Sequence, residues 1–114
     1  MIDKKQETNK ILINTGDRKF EFILKYPEFK HYQQANIALQ DPNGTDILAA
    51  GRYVIKHCWL DGGEIIEGKE GYNNSEGLLF GDESKDNVIL KAFISACSEA
   101  YLLLNIFESE LKKN

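Results

Sequence analysis

Cysteine is scarce in this chain, and the two it has, Cys58 and Cys97, stand without a CxxC or CxH neighbour. A disulfide framework or a structural zinc site therefore has no basis, and free thiols are expected. There is no run of about 18 apolar residues. The amino-terminal MIDKKQETNK has no apolar core of the kind a signal peptide needs. These two absences predict a cytoplasmic protein without membrane association. Basic excess is missing too: 18 acidic residues face 14 basic ones, for a net charge of −4. Residues 1–45 carry seven Lys/Arg and six Asp/Glu, and residues 46–114 carry seven against twelve, so the second part holds the negative excess. Such a surface does not attract phosphate backbones, and nucleic acid is not an expected partner. Neither GxxxxGK[ST] nor a GxGxxG after a strand is present, so the glycines do not spell a phosphate cradle.

What remains is an ordinary globular composition, 42% hydrophobic and 28% charged over 114 residues. That is enough for one domain with a core of its own. Ile11-Leu12-Ile13 and Phe20-Glu21-Phe22-Ile23-Leu24 flank Asn14-Thr15-Gly16-Asp17-Arg18, where Gly16 and Asp17 suit a reversing turn. The pattern predicts a hairpin over about 10–25, with strands near 10–14 and 18–25. Phe20, Phe22 and Leu24 share one face. Two strands alone are marginal in water, so this hairpin must rest on helices or join further strands.

Three helices are predicted. The first, about 28–40, follows Pro27 and shows a Phe29, Tyr32, Ala35, Leu39 stripe before Asp41-Pro42-Asn43-Gly44 stops it. The second, about 46–60, has Thr45 or Asp46 to cap it and Ile47, Gly51, Val54 and Cys58 at helical spacing, widened by Leu48, Ile55 and Trp59. Gly62-Gly63 is read as its left-handed terminator. The third is the longest, about 85–112, with Asp82, Glu83, Ser84 and Asp86 near its start and Lys112 and Lys113 near its end, as the macrodipole favours. Leu90, Phe93, Cys97, Ala100, Leu104, Phe107 and Leu111 form its seam, broadened by Ile89, Ile94, Tyr101 and Leu103. Residues 61–83 hold six glycines and Glu64, Glu67, Glu70 and Glu76, and read as an acidic loop with short strands or turns of its own. The fold class expected is α+β: an amino-terminal hairpin packed with about three helices in a single domain, 1–114.

The segment VIKHCWLDGGEII invites a reactive centre. A thiolate needs an adjacent base, such as His57 or His31. Yet His57 lies about 100° from Cys58 around a helix, and both cysteines sit on apolar faces where the residue behaves as a small hydrophobe. A metal set of His57, Cys58, Asp61 and Glu64 would need convergent ligands, and the sequence holds no second cluster to complete it. Asp41 to Asp46 resembles the opening of a calcium loop, but with the wrong spacing and no terminal glutamate. No catalytic, cofactor or metal residues are assigned, and a nonenzymatic role is expected. Trp59 suits either the core or an interface anchor.

The hairpin ILINTGDRKFEFILKY, the helical DILAAGRYVIKHCWLDGGEII and the lysine-bearing end LKKN together resemble tail assembly chaperones of long-tailed bacteriophages and prophages. That resemblance covers most of the chain. It implies a nonenzymatic factor, working in the bacterial cytoplasm, that binds an amphipathic helical partner such as the tape-measure protein while tail-tube subunits are recruited. It supplies no residue motif, so candidate contacts are chosen from apolarity: Trp59, Leu60, Tyr101, Leu104 and Phe107. The seam also allows a homo-oligomer. The alternative is a small-ligand or regulatory domain with a pocket between hairpin and helices and the glycine-rich loop as its lid.

Overall fold

The structure is a computed structural model that describes residues 8–42 and 44–112, and the side chains of all of these except 41, 44, 45 and 105–112. The hairpin forms as its pattern predicts, from β1 (Thr8–Thr15) and β2 (Arg18–Lys25). Gly16 at φ +65° followed by Asp17 at negative φ matches the two-residue turn that follows the right-handed twist of paired strands. Phe20, Phe22 and Leu24 face inward and are buried, with Ile11 opposite Phe22 and Ile13 opposite Phe20. After α1 (Phe29–Leu39), the short strands β3 (Gln40–Asp41) and β4 (Gly44–Thr45) pair only with each other. Then come α2 (Ile47–Cys58), β5 (Trp59–Ile65), β6 (Tyr72–Asn73), α3 (Ser75–Leu79), one turn of 3-10 helix at Gly81–Glu83, and α4 (Asn87–Lys112), the longest helix. The class is α+β, with the hairpin extended into a four-stranded antiparallel sheet of order β1-β2-β5-β6.

Three local expectations change. Gly62-Gly63 does not end a helix. Helix α2 stops at Cys58, Trp59 turns extended at φ −62°, ψ 130°, and both glycines lie inside β5 at φ +144° and +150°, a region that side-chain-bearing residues rarely adopt. A Cβ on Gly62 would run into the Glu21 carbonyl, and one on Gly63 would come within 2.7 Å of Tyr72 Cβ. The pair therefore lets β5 pass close to β2 on one side while Tyr72 crosses over Gly63 on the other, its hydroxyl donating to Glu21 Oε1 at 2.6 Å. That bond, with burial, pushes the Tyr72 phenol up to about 12. Segment 61–83 is accordingly mostly regular structure, with open turns around Gly68 and Gly71. On α1 the buried positions are His31 and Ala35, whereas Phe29 is exposed. Pro27 lies just before the Glu28 cap, as the expected start near 28 requires.

Capping follows the side-chain chemistry. The Ala49 N–H donates to Asp46 Oδ1 at 2.9 Å, and the Val88 N–H donates to Asp86 Oδ1 at 2.9 Å. Helix α4 lies across the sheet and against α2, burying Ile89, Ala92, Phe93, Ala96, Cys97, Ala100, Leu103 and Leu104. The seam predicted from Leu90 and Phe93 is thus displaced toward the alanines, leaving Leu90 half-buried and Ile94 exposed. Phe107 and Leu111 fall outside the described side chains. By length and composition, residues 87–104 would suffice to cross a membrane, with mean hydropathy 1.4. In this fold their apolar stripe is the core. Phe93 meets Phe22 edge-on at 6.4 Å, which ties the helix layer to the sheet.

At the α2–α4 crossing, a Cβ on Gly51 would collide with the backbone carbonyl of Cys97. Helix propensity alone predicts that Gly51→Ala stabilises by about 0.5–1 kcal/mol. The packing reverses the sign: the variant is expected to lose roughly 1–3 kcal/mol in urea denaturation, as overpacked cores do. An unchanged or raised midpoint would show that the two backbones can part.

Candidate functional site

An open cleft of about 350 Å³ lies between α2 and α4. It takes shape one turn before the Gly51–Cys97 contact on each helix. Leu48 and Ala49 come from the start of α2, Leu90 and Ile94 from the early turns of α4, and Phe93 and Cys97 complete the lining. Leu48 is 44% exposed and Ile94 43% exposed, so two large apolar side chains face water across the same depression. Arg52, Asp46 and Asp82 contribute the polar part of the lining.

The Asp82 carboxylate organises that rim. It accepts from Arg52 Nε at 2.6 Å and from Lys56 Nζ at 3.0 Å. Burial works against its charge, yet the two cations outweigh burial and hold the carboxyl below its ordinary value. Lys56 also donates to the Leu79 carbonyl at 2.8 Å and lies 4.4 Å from the centre of the Phe80 ring and 5.3 Å from that of Phe93. Its ammonium therefore exchanges water for a carboxylate, a carbonyl and two π faces. A second network pins the other side of the α4 start. Arg18 makes paired 2.9 Å bonds from Nε and Nη2 to Glu64, and Arg18 Nη1 donates to Asp86 at 3.1 Å. The Val88 N–H and Arg18 together draw the Asp86 carboxyl below its usual range.

The residues expected to touch a partner differ in how far they are exposed. Trp59 is half-buried and packs edge-on against Phe22, ring centres 6.1 Å apart. Leu60 is 43% exposed and falls at the register shift between β2 and β5, where Leu24 pairs with Trp59 and Ile23 with Asp61. Tyr101 is half-buried, and Leu104, at 4% exposure, is core. The Phe107 side chain lies outside the described residues. Leu48, Arg52 and Asp82 of the cleft were missed as site residues. Its spacing puts Leu48 on the apolar side of α2, and only its place in the first turn, ahead of the Gly51 crossing, distinguishes it from core.

Cys58 and Cys97 are both buried free thiols. Burial pushes Cys58 up to about 11 and Cys97 up to about 12, so neither is a thiolate near neutrality. His57 stacks on Tyr53 at 4.1 Å. His31 accepts the Glu28 N–H at Nδ1, 3.1 Å away, and burial, with nearby Lys25, lowers its imidazole pKa. Among the described residues, no three His, Cys, Asp or Glu side chains converge as metal ligands would. No protein-family model, curated protein or solved structure matches this chain.

Two measurements test this geometry. Asp82→Asn is expected to cost roughly 1–3 kcal/mol in urea denaturation at neutral pH, the usual scale for hydrogen bonds to charged groups. Because the folded-state pKa of Asp82 is depressed, its contribution is complete above the ordinary carboxylate value of 3.8 and fades as pH falls through the folded value. The gap between the variant and the parent protein should therefore close in acid. For the thiols, a colourless disulfide reagent that releases a chromophore should react with both cysteines rapidly in denaturant and slowly in native buffer. Fast native labelling would contradict the burial of both.

Proposed function

We propose that this chain is a nonenzymatic interaction factor that holds an amphipathic helix of another protein in the α2–α4 cleft. The observation that carries this reading is the pairing of exposed Leu48 with exposed Ile94 across one depression. Amphipathic helices dock by laying anchors at i, i+3, i+4 and i+7 into such grooves. The Arg52–Asp82 pair at the rim offers both signs of charge to the polar flanks of that helix. Taken with the resemblance to tail assembly chaperones, the partner proposed is a tail tape-measure protein, whose long helical segments need their apolar stripes covered before assembly.

A small-ligand reading draws support from the cleft volume, which lies at the low end of the range for drug-sized pockets. Of the glycine-rich segment 61–83, the lid in that reading, Asp82 is the one residue among those lining the cleft, and the hairpin contributes none.

Co-expression with tape-measure and tail-tube proteins of a long-tailed bacteriophage tests the proposal. A stable complex with the tape-measure protein is expected, and Leu48→Asp and Ile94→Asp should each weaken it by at least about tenfold, or 1.4 kcal/mol. Leu60→Asp, an exposed apolar position away from the cleft, should leave it intact. Absence of any complex, or binding indifferent to Leu48 and Ile94, would overturn the reading.

A further inference from the structure

The four-stranded sheet ends differently on its two sides. At one side β6 is two residues long and runs almost directly into α3. At the other, β1 presents eight residues, and among the described residues no strand lies along its outer edge. The two-residue turn sets the phase of that edge. Thr15 and Arg18 close the hairpin as a hydrogen-bonded pair, so Ile13 and Ile11 also bond inward to Phe20 and Phe22. The alternate residues, Thr8, Lys10, Leu12 and Asn14, turn their N–H and C=O groups away from β2. Leu12 has an outward-turned neighbour on either side, and its side chain is 55% exposed.

Long open edges are normally guarded by several charges, proline or a bulge. This one has neither proline nor register shift, and its single charged side chain is Lys10, 67% exposed and 3.4 Å from Glu21 of its own sheet. The edge is also self-complementary. Antiparallel pairing about a twofold axis at Leu12 sets Leu12 against its own copy and Lys10 against the Asn14 amide. On the inner face it sets Ile11 against Ile13. No like charges meet, outward-facing backbone groups meet outward-facing ones, and apolar residues stay on the side where the helices lie.

We propose that the β1 edge is a homodimerisation surface, and that its occupant is the β1 strand of a second copy of this chain, giving a continuous eight-stranded sheet. The pairing is isologous and closes after two copies, which prevents growth into a fibre along that edge. None of the α2–α4 cleft residues lies on β1, so the dimer and the helix-binding proposal stand or fall separately.

Sedimentation equilibrium of the full chain, from micromolar to millimolar concentration, tests this. A reversible dimer is expected. Leu12→Pro removes an N–H that the β2 ladder does not use, so the fold should persist by circular dichroism while dimerisation weakens by at least about tenfold. Leu12→Lys, which brings two ammonium groups together on the axis, serves as the second variant and should act in the same direction. Ile94→Asp should leave the dimer unchanged. A monomer at every concentration would overturn the proposal, as would a dimer that survives Leu12→Lys or is lost in Ile94→Asp.

Discussion

The near-contact of two helix backbones, Gly51 of α2 against the Cys97 carbonyl of α4, is the constraint on which the remaining architecture depends. It is available only because position 51 has no Cβ. With the helices this close, Val54 and Cys58 of α2 and Phe93 and Cys97 of α4 become parts of one core over Phe22 and Leu24. One turn earlier on each helix, larger residues stand where glycine stood. Leu48 and Ile94 are held apart, and the cleft opens between them. The same contact that closes the core therefore produces its exposed apolar depression.

Charge does a complementary task. Helix α4 begins between two ion networks, one through Arg18, Glu64 and Asp86, the other through Arg52, Lys56 and Asp82. Together they connect β2, β5 and α2 to the chain around the first turn of α4. Isolated surface pairs contribute little, but the Lys56–Asp82 pair is only 19% exposed at each partner, and shared partners lower the entropy lost per bond. Three of the acidic residues in the negative second part of the chain are thus structural. Glu64, Asp82 and Asp86 are held by cations, whereas Glu67 and Glu70 remain on open turns.

Elements governed by local pattern were readable in the sequence. Alternation at Phe20, Phe22 and Leu24 placed the hairpin face, Gly16-Asp17 placed its turn, and the three-four spacing after Asp86 placed α4. The glycine pair at 62–63 misled because the same permissive backbone serves a helix terminus and a crowded strand. Which one it is depends on Trp59 and Tyr72 on either side, and Tyr72 arrives from later in the chain. The His31 burial was hidden for a similar reason: its imidazole is satisfied by the Glu28 N–H, so a polar residue could take the place that Phe29 was expected to hold.

The site was less legible than the fold. Apolarity picked Leu104, which the core absorbs, and Trp59, which is half-buried against Phe22, because hydrophobic residues look the same in a sequence whether they face a neighbour or water. By itself the sequence determined the hairpin and the three long helices in their order, the buried face of the hairpin and the acidic balance, since these arise from interactions within a few residues. Tertiary structure alone decided that residues 59–65 join the sheet, that Leu48 and Ile94 share a cleft and that Asp82 draws in two cations. Each of those depends on groups brought together from distant parts of the chain, and no local pattern encodes that distance.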